Sequence, residues 1–175
     1  MPPIALVATF VAVTSIASPI APPAAASGSD RSASRHVRST QPRTEQLLDL
    51  GARRSATFAA LRATLETTDV IVYVQAVADL RPSLDGRLLF LGSSGRHRYL
   101  RIDVRNSLTT TDLLSAIAHE LQHAVEIAGS VEVRDAKSMG SFYERIGVSR
   151  GARASFDTHA ARETGARVKS ELLGA

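Results

Sequence analysis

The chain has 175 residues, 44% of them apolar, a formal net charge of +4 and no cysteine. That length and composition suit one globular domain with a real core, and the lack of cysteine excludes a disulfide framework, a thiolate zinc cluster and a cysteine nucleophile. The charge does not describe a nucleic-acid surface, because Arg31, Arg35, Arg38 and Arg43 against Asp30 hold most of the excess and leave the remainder nearly neutral.

Ile4 to Ile20 is an uncharged apolar stretch followed by the small residues Ala21-Pro22-Pro23-Ala24-Ala25-Ala26. This is the pattern of a signal peptide over residues 1–26, so the chain is expected to be secreted or periplasmic. An uncleaved N-terminal anchor is the competing reading, disfavoured by Ser18-Pro19, which interrupts the stretch short of the roughly 20 residues a spanning helix needs. No later segment is apolar enough to span, so no membrane span is expected after cleavage. Ser27 to Arg43 is polar and aperiodic and reads as a disordered linker, leaving a domain over 44–175.

Within that domain Leu47, Leu50, Phe58, Leu61 and Leu65 recur at helical spacing, with Thr44 as a candidate cap and Gly51 as a candidate break. Val70-Ile71-Val72-Tyr73-Val74 reads as a strand buried on both faces. Leu88-Leu89-Phe90-Leu91 follows a turn at Asp85-Gly86. After Gly92-Ser93-Ser94-Gly95 come Leu100, Ile102 and Val104, alternating with Arg101 and Asp103. The expectation is a meander in a small, mainly antiparallel sheet, its third strand wet on one face.

Thr109 to Asp112 supplies capping hydroxyls and an acidic first turn for a strong helix that runs to about Ala128 and stops at Gly129. Lys137 to Ile146 predicts a short helix. Ser155 is the candidate cap of a last helix carrying Ala160, Ala161, Val168 and Leu172. The fold class is therefore α+β.

Chemistry concentrates in His119-Glu120-Leu121-Gln122-His123. On a helix, residues four apart share a face, so both imidazoles reach one Zn2+ ion while Glu120, about 100° round, addresses a water there. The wheel puts Leu113, Leu114, Ile117, Leu121, Ala124 and Val125 on one face and Asp112, Ser115, His119, His123 and Glu126 on the other. An amphipathic surface helix with two incidental histidines is the plain alternative. The catalytic reading requires a later segment to fold over the polar stripe and supply a third ligand. Glu126 lies about 10.5 Å of helix rise from His119, too far to share an ion on one straight helix. Its expected place is in solvent or behind a ligand.

His119 to His123 resembles the zinc motif of the zincin metallopeptidases. The metzincin subclass does not fit, because Glu126 stands where its glycine would be, and deformylases need a cysteine ligand. The later segment is most similar to the gluzincin branch, whose E-x-x-A pattern Asp157-Thr158-His159-Ala160 approaches with Asp for Glu. The resemblance implies a minimal zincin-like domain with Zn2+ on His119, His123 and Asp157 and Glu120 as general base. It also implies a peptide or protein substrate held along a strand edge.

Asp157 has a second explanation as an acidic residue in the first turn of the last helix. Glu144, 21 residues after His123, has the spacing of thermolysin-like enzymes and stays open as the third ligand. His159 is a further ligand candidate, and Tyr143 and Tyr99 are candidate oxyanion donors with packing as their alternative. A non-catalytic envelope protein binding zinc or peptide is the rival function. A latent enzyme with Ser27 to Arg43 as inhibitory segment is a third reading.

Overall fold

The computed structural model describes residues 35–146, 148–149 and 156–174, so the region read as a signal peptide, the start of the linker and Ser155 lie outside the described residues. The chain forms β1 (Val37–Arg38), α1 (Pro42–Arg54), α2 (Ala56–Glu66), β2 (Val70–Val77), β3 (Gly86–Ser94) and β4 (His97–Arg105). Then follow α3 (Thr110–Ala128), α4 (Ala136–Ile146), the two-residue strands β5 (Val148–Ser149) and β6 (Phe156–Asp157), and α5 (His159–Leu173). The architecture is α+β, with five helices and a four-stranded sheet among the described residues.

The sheet runs β1-β2-β4-β3, with β1 and β4 both parallel to β2 and only β3 antiparallel to β4. A mainly antiparallel meander is therefore not what forms. The β3–β4 hairpin turns through Gly95, at φ +56, and Arg96, a two-residue connection with glycine in the first position. The loop 78–85 then carries the chain far enough for β4 rather than β3 to lie beside β2. β3 ends the sheet, and its register shifts between Phe90 and Gly92, leaving Leu91 half exposed.

The linker expectation fails over residues 35–43. Val37 is fully buried and pairs with Val72, and Arg43 lies in α1. Arg62 reaches back from α2 to donate to the Val37 carbonyl at 3.5 Å and the Leu48 carbonyl at 3.1 Å, so β1 is tied to the first two helices.

Thr44 does not cap α1. It is buried inside the helix, which starts with Pro42 at a position where a missing N–H costs nothing. The break between helices falls at Ser55, whose hydroxyl accepts from the Phe58 N–H. Gly51 stays inside the helix, and its lack of a side chain lets α1 pack closely, since a Cβ there would come within 3.0 Å of Leu114 and 3.1 Å of Phe58.

One face of the sheet makes the core. Val70, Val72, Val74, Leu100, Ile102 and Val104 are buried against Phe58 and Leu65 of α2 and Leu114, Ile117 and Leu121 of α3. On the opposite face the alternation of β4 places Tyr99, Arg101 and Asp103. Asp103 is buried by Arg87 at 2.7 Å and Arg101 at 2.8 Å, so that face is less wet than the alternation predicts.

α3 begins with Thr109 accepting from the Asp112 N–H and ends at Gly129 in right-handed conformation. Its terminal carbonyls have an unusual partner. Arg98 is 1% exposed, forks onto Asp69 at 2.6 and 2.9 Å, and donates to the carbonyls of Ile127, Ala128, Ser130 and Val133 at 2.7–3.2 Å. A cation at the negative end of the helix dipole thus locks α3 to the sheet. α5 runs antiparallel along the polar face of α3, linked by Lys169–Asp112 at 2.8 Å, Ser115 to the Gly165 carbonyl at 2.8 Å, and Thr158–Glu126 at 2.7 Å. Among the described residues no helix is long and apolar enough to cross a membrane.

Candidate metal centre

Helical spacing stacks the two histidines of α3, whose ring centroids lie 4.9 Å apart. The carboxylate that meets them comes from β6, with His119 Nε2 3.4 Å from Asp157 Oδ1. One donor atom from each of His119, His123 and Asp157 lies within 4.8 Å of the other two. Ligands at about 2.0–2.1 Å around tetrahedral zinc stand about 3.3 Å from one another, close to the 3.4 Å between His119 and Asp157. Two imidazoles and a carboxylate without thiolate form a donor set that suits zinc. Chain and ion fit.

Asp157 is not in the first turn of the last helix. The cap of α5 is Thr158, whose hydroxyl accepts from the Ala161 N–H, so Asp157 sits on β6, paired with Val148, one residue ahead of the cap. Its helix-dipole explanation therefore weakens. Arg162 Nε stands 3.7 Å from the second Asp157 oxygen and offsets part of its charge.

The close approach of α5 depends on Gly165. A Cβ there would lie 3.2 Å from the Ser115 carbonyl oxygen and 3.4 Å from the His119 Cβ. An isolated glycine inside a helical pattern is the sequence signal that would have marked this contact.

Glu120 is 8% exposed and packs under the start of β3. Gly86 makes the room, since a Cβ on it would meet Glu120 Cγ and Oε1 at 3.1 Å. Burial pushes the Glu120 carboxyl up to about 7, with His123 opposing and Asp157 adding to the shift. A carboxylate raised into that range exchanges a proton near neutral pH.

Glu126 stands behind a ligand. Its Oε2 is 2.9 Å from His123 Nδ1, and its Oε1 accepts from Thr158. Tyr143 packs its ring edge-on against His123 and donates its hydroxyl to the His123 carbonyl at 2.9 Å. Burial among carboxylates holds the phenol protonated, far above its ordinary range. That donor is engaged by α3.

The remaining candidates lie elsewhere. Glu144 is exposed on α4 and outside the cluster. His159 is exposed and faces Glu163 at 3.3 Å, and Tyr99 lies on the sheet face away from α3.

The chain matches no protein-family model, no curated protein and no solved structure. Its chemistry must therefore be read from its own residues.

Proposed function

We propose that the chain is an exported zinc-dependent hydrolase acting on peptide bonds, with His119, His123 and Asp157 as metal ligands and Glu120 as general base. The observation that carries this reading is the gathering of two histidines one helical turn apart with a carboxylate from a distant element, beside a buried glutamate with a carboxyl raised to about 7. The apolar stretch Ile4 to Ile20 supports export.

Bound zinc would supply Lewis acidity, lowering the pKa of a water and polarising a carbonyl. Glu120, poorly solvated beneath Gly86, takes a proton from the attacking water at its carboxylate and returns it to the departing nitrogen. β3, at the end of the sheet and against α3, offers main-chain groups to an extended substrate in the manner of strand addition. The polar stripe of α3 is covered by α5, so the two histidines are not a solvent face.

The test is zinc per full-length chain, together with cleavage of a mixed peptide library. About one zinc in the wild type, lost in His123→Ala, is expected. Glu120→Gln should retain zinc and abolish cleavage. Zinc retention with no cleavage by the wild type would favour a zinc-binding envelope protein. A chain without zinc after incubation with the ion would overturn the reading.

A further inference from the structure

We infer that Glu126 and Thr158 form a positioning relay that fixes the tautomer of His123, so that the segment supplying Asp157 governs two of the three ligands at once. The inference rests on the metal reading above, although its first readout needs no metal.

Three hydrogen bonds carry it. Thr158 is 6% exposed and does two things with one hydroxyl, since its oxygen accepts from the Ala161 N–H at 3.1 Å and its proton goes to Glu126 Oε1 at 2.7 Å. Glu126 Oε2 then faces His123 Nδ1 at 2.9 Å. An ionised carboxylate only accepts, so the ring nitrogen beside it must carry the proton, and the lone pair of the neutral ring is left on Nε2. Nε2 is the nitrogen a metal would take. A carboxylate behind a ligating imidazole fixes ring orientation and raises its basicity.

The chain order adds a consequence that the pairwise contacts do not. Asp157 and Thr158 are adjacent, and both arrive at α3 on the same β6–α5 segment. Asp157 faces His119 directly, while Thr158 reaches His123 through Glu126. Docking of α5 on α3, which Gly165 permits, therefore brings in one ligand and orients another in a single movement. Tyr143 holds the backbone at His123 by donating to its carbonyl.

The test uses the full-length chain labelled with 15N at histidine. Long-range 1H–15N correlation spectra of the metal-free protein, at mildly alkaline pH, identify the protonated ring nitrogen of His123, and Zn2+ affinity is measured by chelator competition. Expected are an Nδ1–H ring in the wild type and a shift towards Nε2–H in Glu126→Gln, with Zn2+ affinity about 10- to 100-fold weaker. Thr158→Val should show a smaller change in the same direction, and Thr158→Ser should restore the wild-type pattern. Thermal unfolding of each variant checks that it is folded, and Thr158→Ser keeps the test open if Thr158→Val is not. An Nε2–H ring in the wild type, or a Glu126→Gln protein with unchanged tautomer and affinity within twofold, would overturn the relay. A wild type that binds no Zn2+ sinks the metal reading, while the tautomer measurement still decides the relay.

Discussion

Replacing Arg98 with methionine tests how the end of the histidine helix is held. The substitution keeps an unbranched side chain of similar length but removes every donor to Asp69 and to the carbonyls of Ile127, Ala128, Ser130 and Val133. Breaking a buried charge network from one side costs about 3–5 kcal/mol, because the abandoned groups keep their desolvation penalty. For a domain of this size that lowers the thermal midpoint by roughly 10–20 °C. Asp69→Asn should cost less, about 1–2 kcal/mol, since Asp69 is 30% exposed and Arg98 keeps its four carbonyls. Urea titrations followed by circular dichroism measure both. A loss below about 1 kcal/mol in Arg98→Met, or a larger loss in Asp69→Asn, would refute the account.

The pair also predicts a pH dependence. Hydrogen bonding and charge from Arg98 hold the Asp69 carboxyl below its ordinary value against some desolvation. A depressed carboxylate stabilises the fold above its unfolded pKa, near 4, and that stability is lost as pH falls through the lower folded value. The gap between wild type and Arg98→Met should therefore be widest above pH 4 and narrow below it by the Asp69 share alone, since the hydrogen bonds to the four carbonyls do not titrate.

Zinc at about 100 times its dissociation constant should stabilise the wild type by about 2.7 kcal/mol in calorimetry. His123→Ala should lose this gain and Asp157→Ala most of it, whereas Glu144→Ala and His159→Ala should behave as wild type. Gly165→Ala should be near neutral in stability, as better helix propensity of about 1 kcal/mol offsets the tight contact with Ser115. Gly165→Leu should cost about 1–3 kcal/mol in urea unfolding and weaken zinc binding, because it pushes α5 off α3. Ser55→Ala should cost about 1–2 kcal/mol by the same measurement, since it removes the cap of α2 and a hydrogen bond to Glu171.

Helix α3 was legible in the sequence because every local signal agrees over 110–128: a threonine cap, an acidic first turn, apolar residues at helical spacing and a glycine stop. α4 was legible from weaker signals, and the β3–β4 hairpin from Gly95 at its turn. Strand pairing was not, because the position of β4 beside β2 depends on where an eight-residue loop delivers the hairpin. β1 escaped notice because two residues carry no period, and its strand character comes from Val72 and Tyr73. Arg98 sits at an apolar-phase position of β4 and breaks the alternation with a charge that only tertiary partners satisfy. The histidine pair could be read from spacing alone. The carboxylate that faces it could not, since Asp157 and Glu144 differ in which side of the fold their elements reach. Thr158 and Glu126 needed the helix start to be placed three residues later than Ser155 suggests.

A strand at the end of a sheet exposes unpaired backbone groups to any passing chain, including copies of the same protein. β3 blunts that hazard by its own irregularity. The shift at Leu91 interrupts the ladder, so the regular edge is only the stretch from Gly86 to Phe90, and beyond it the Ser93 hydroxyl donates to the Arg134 carbonyl at 3.0 Å. So short a ledge resists stacking of one molecule on another, and removing the extra residue at 91 would lengthen the edge and invite aggregation.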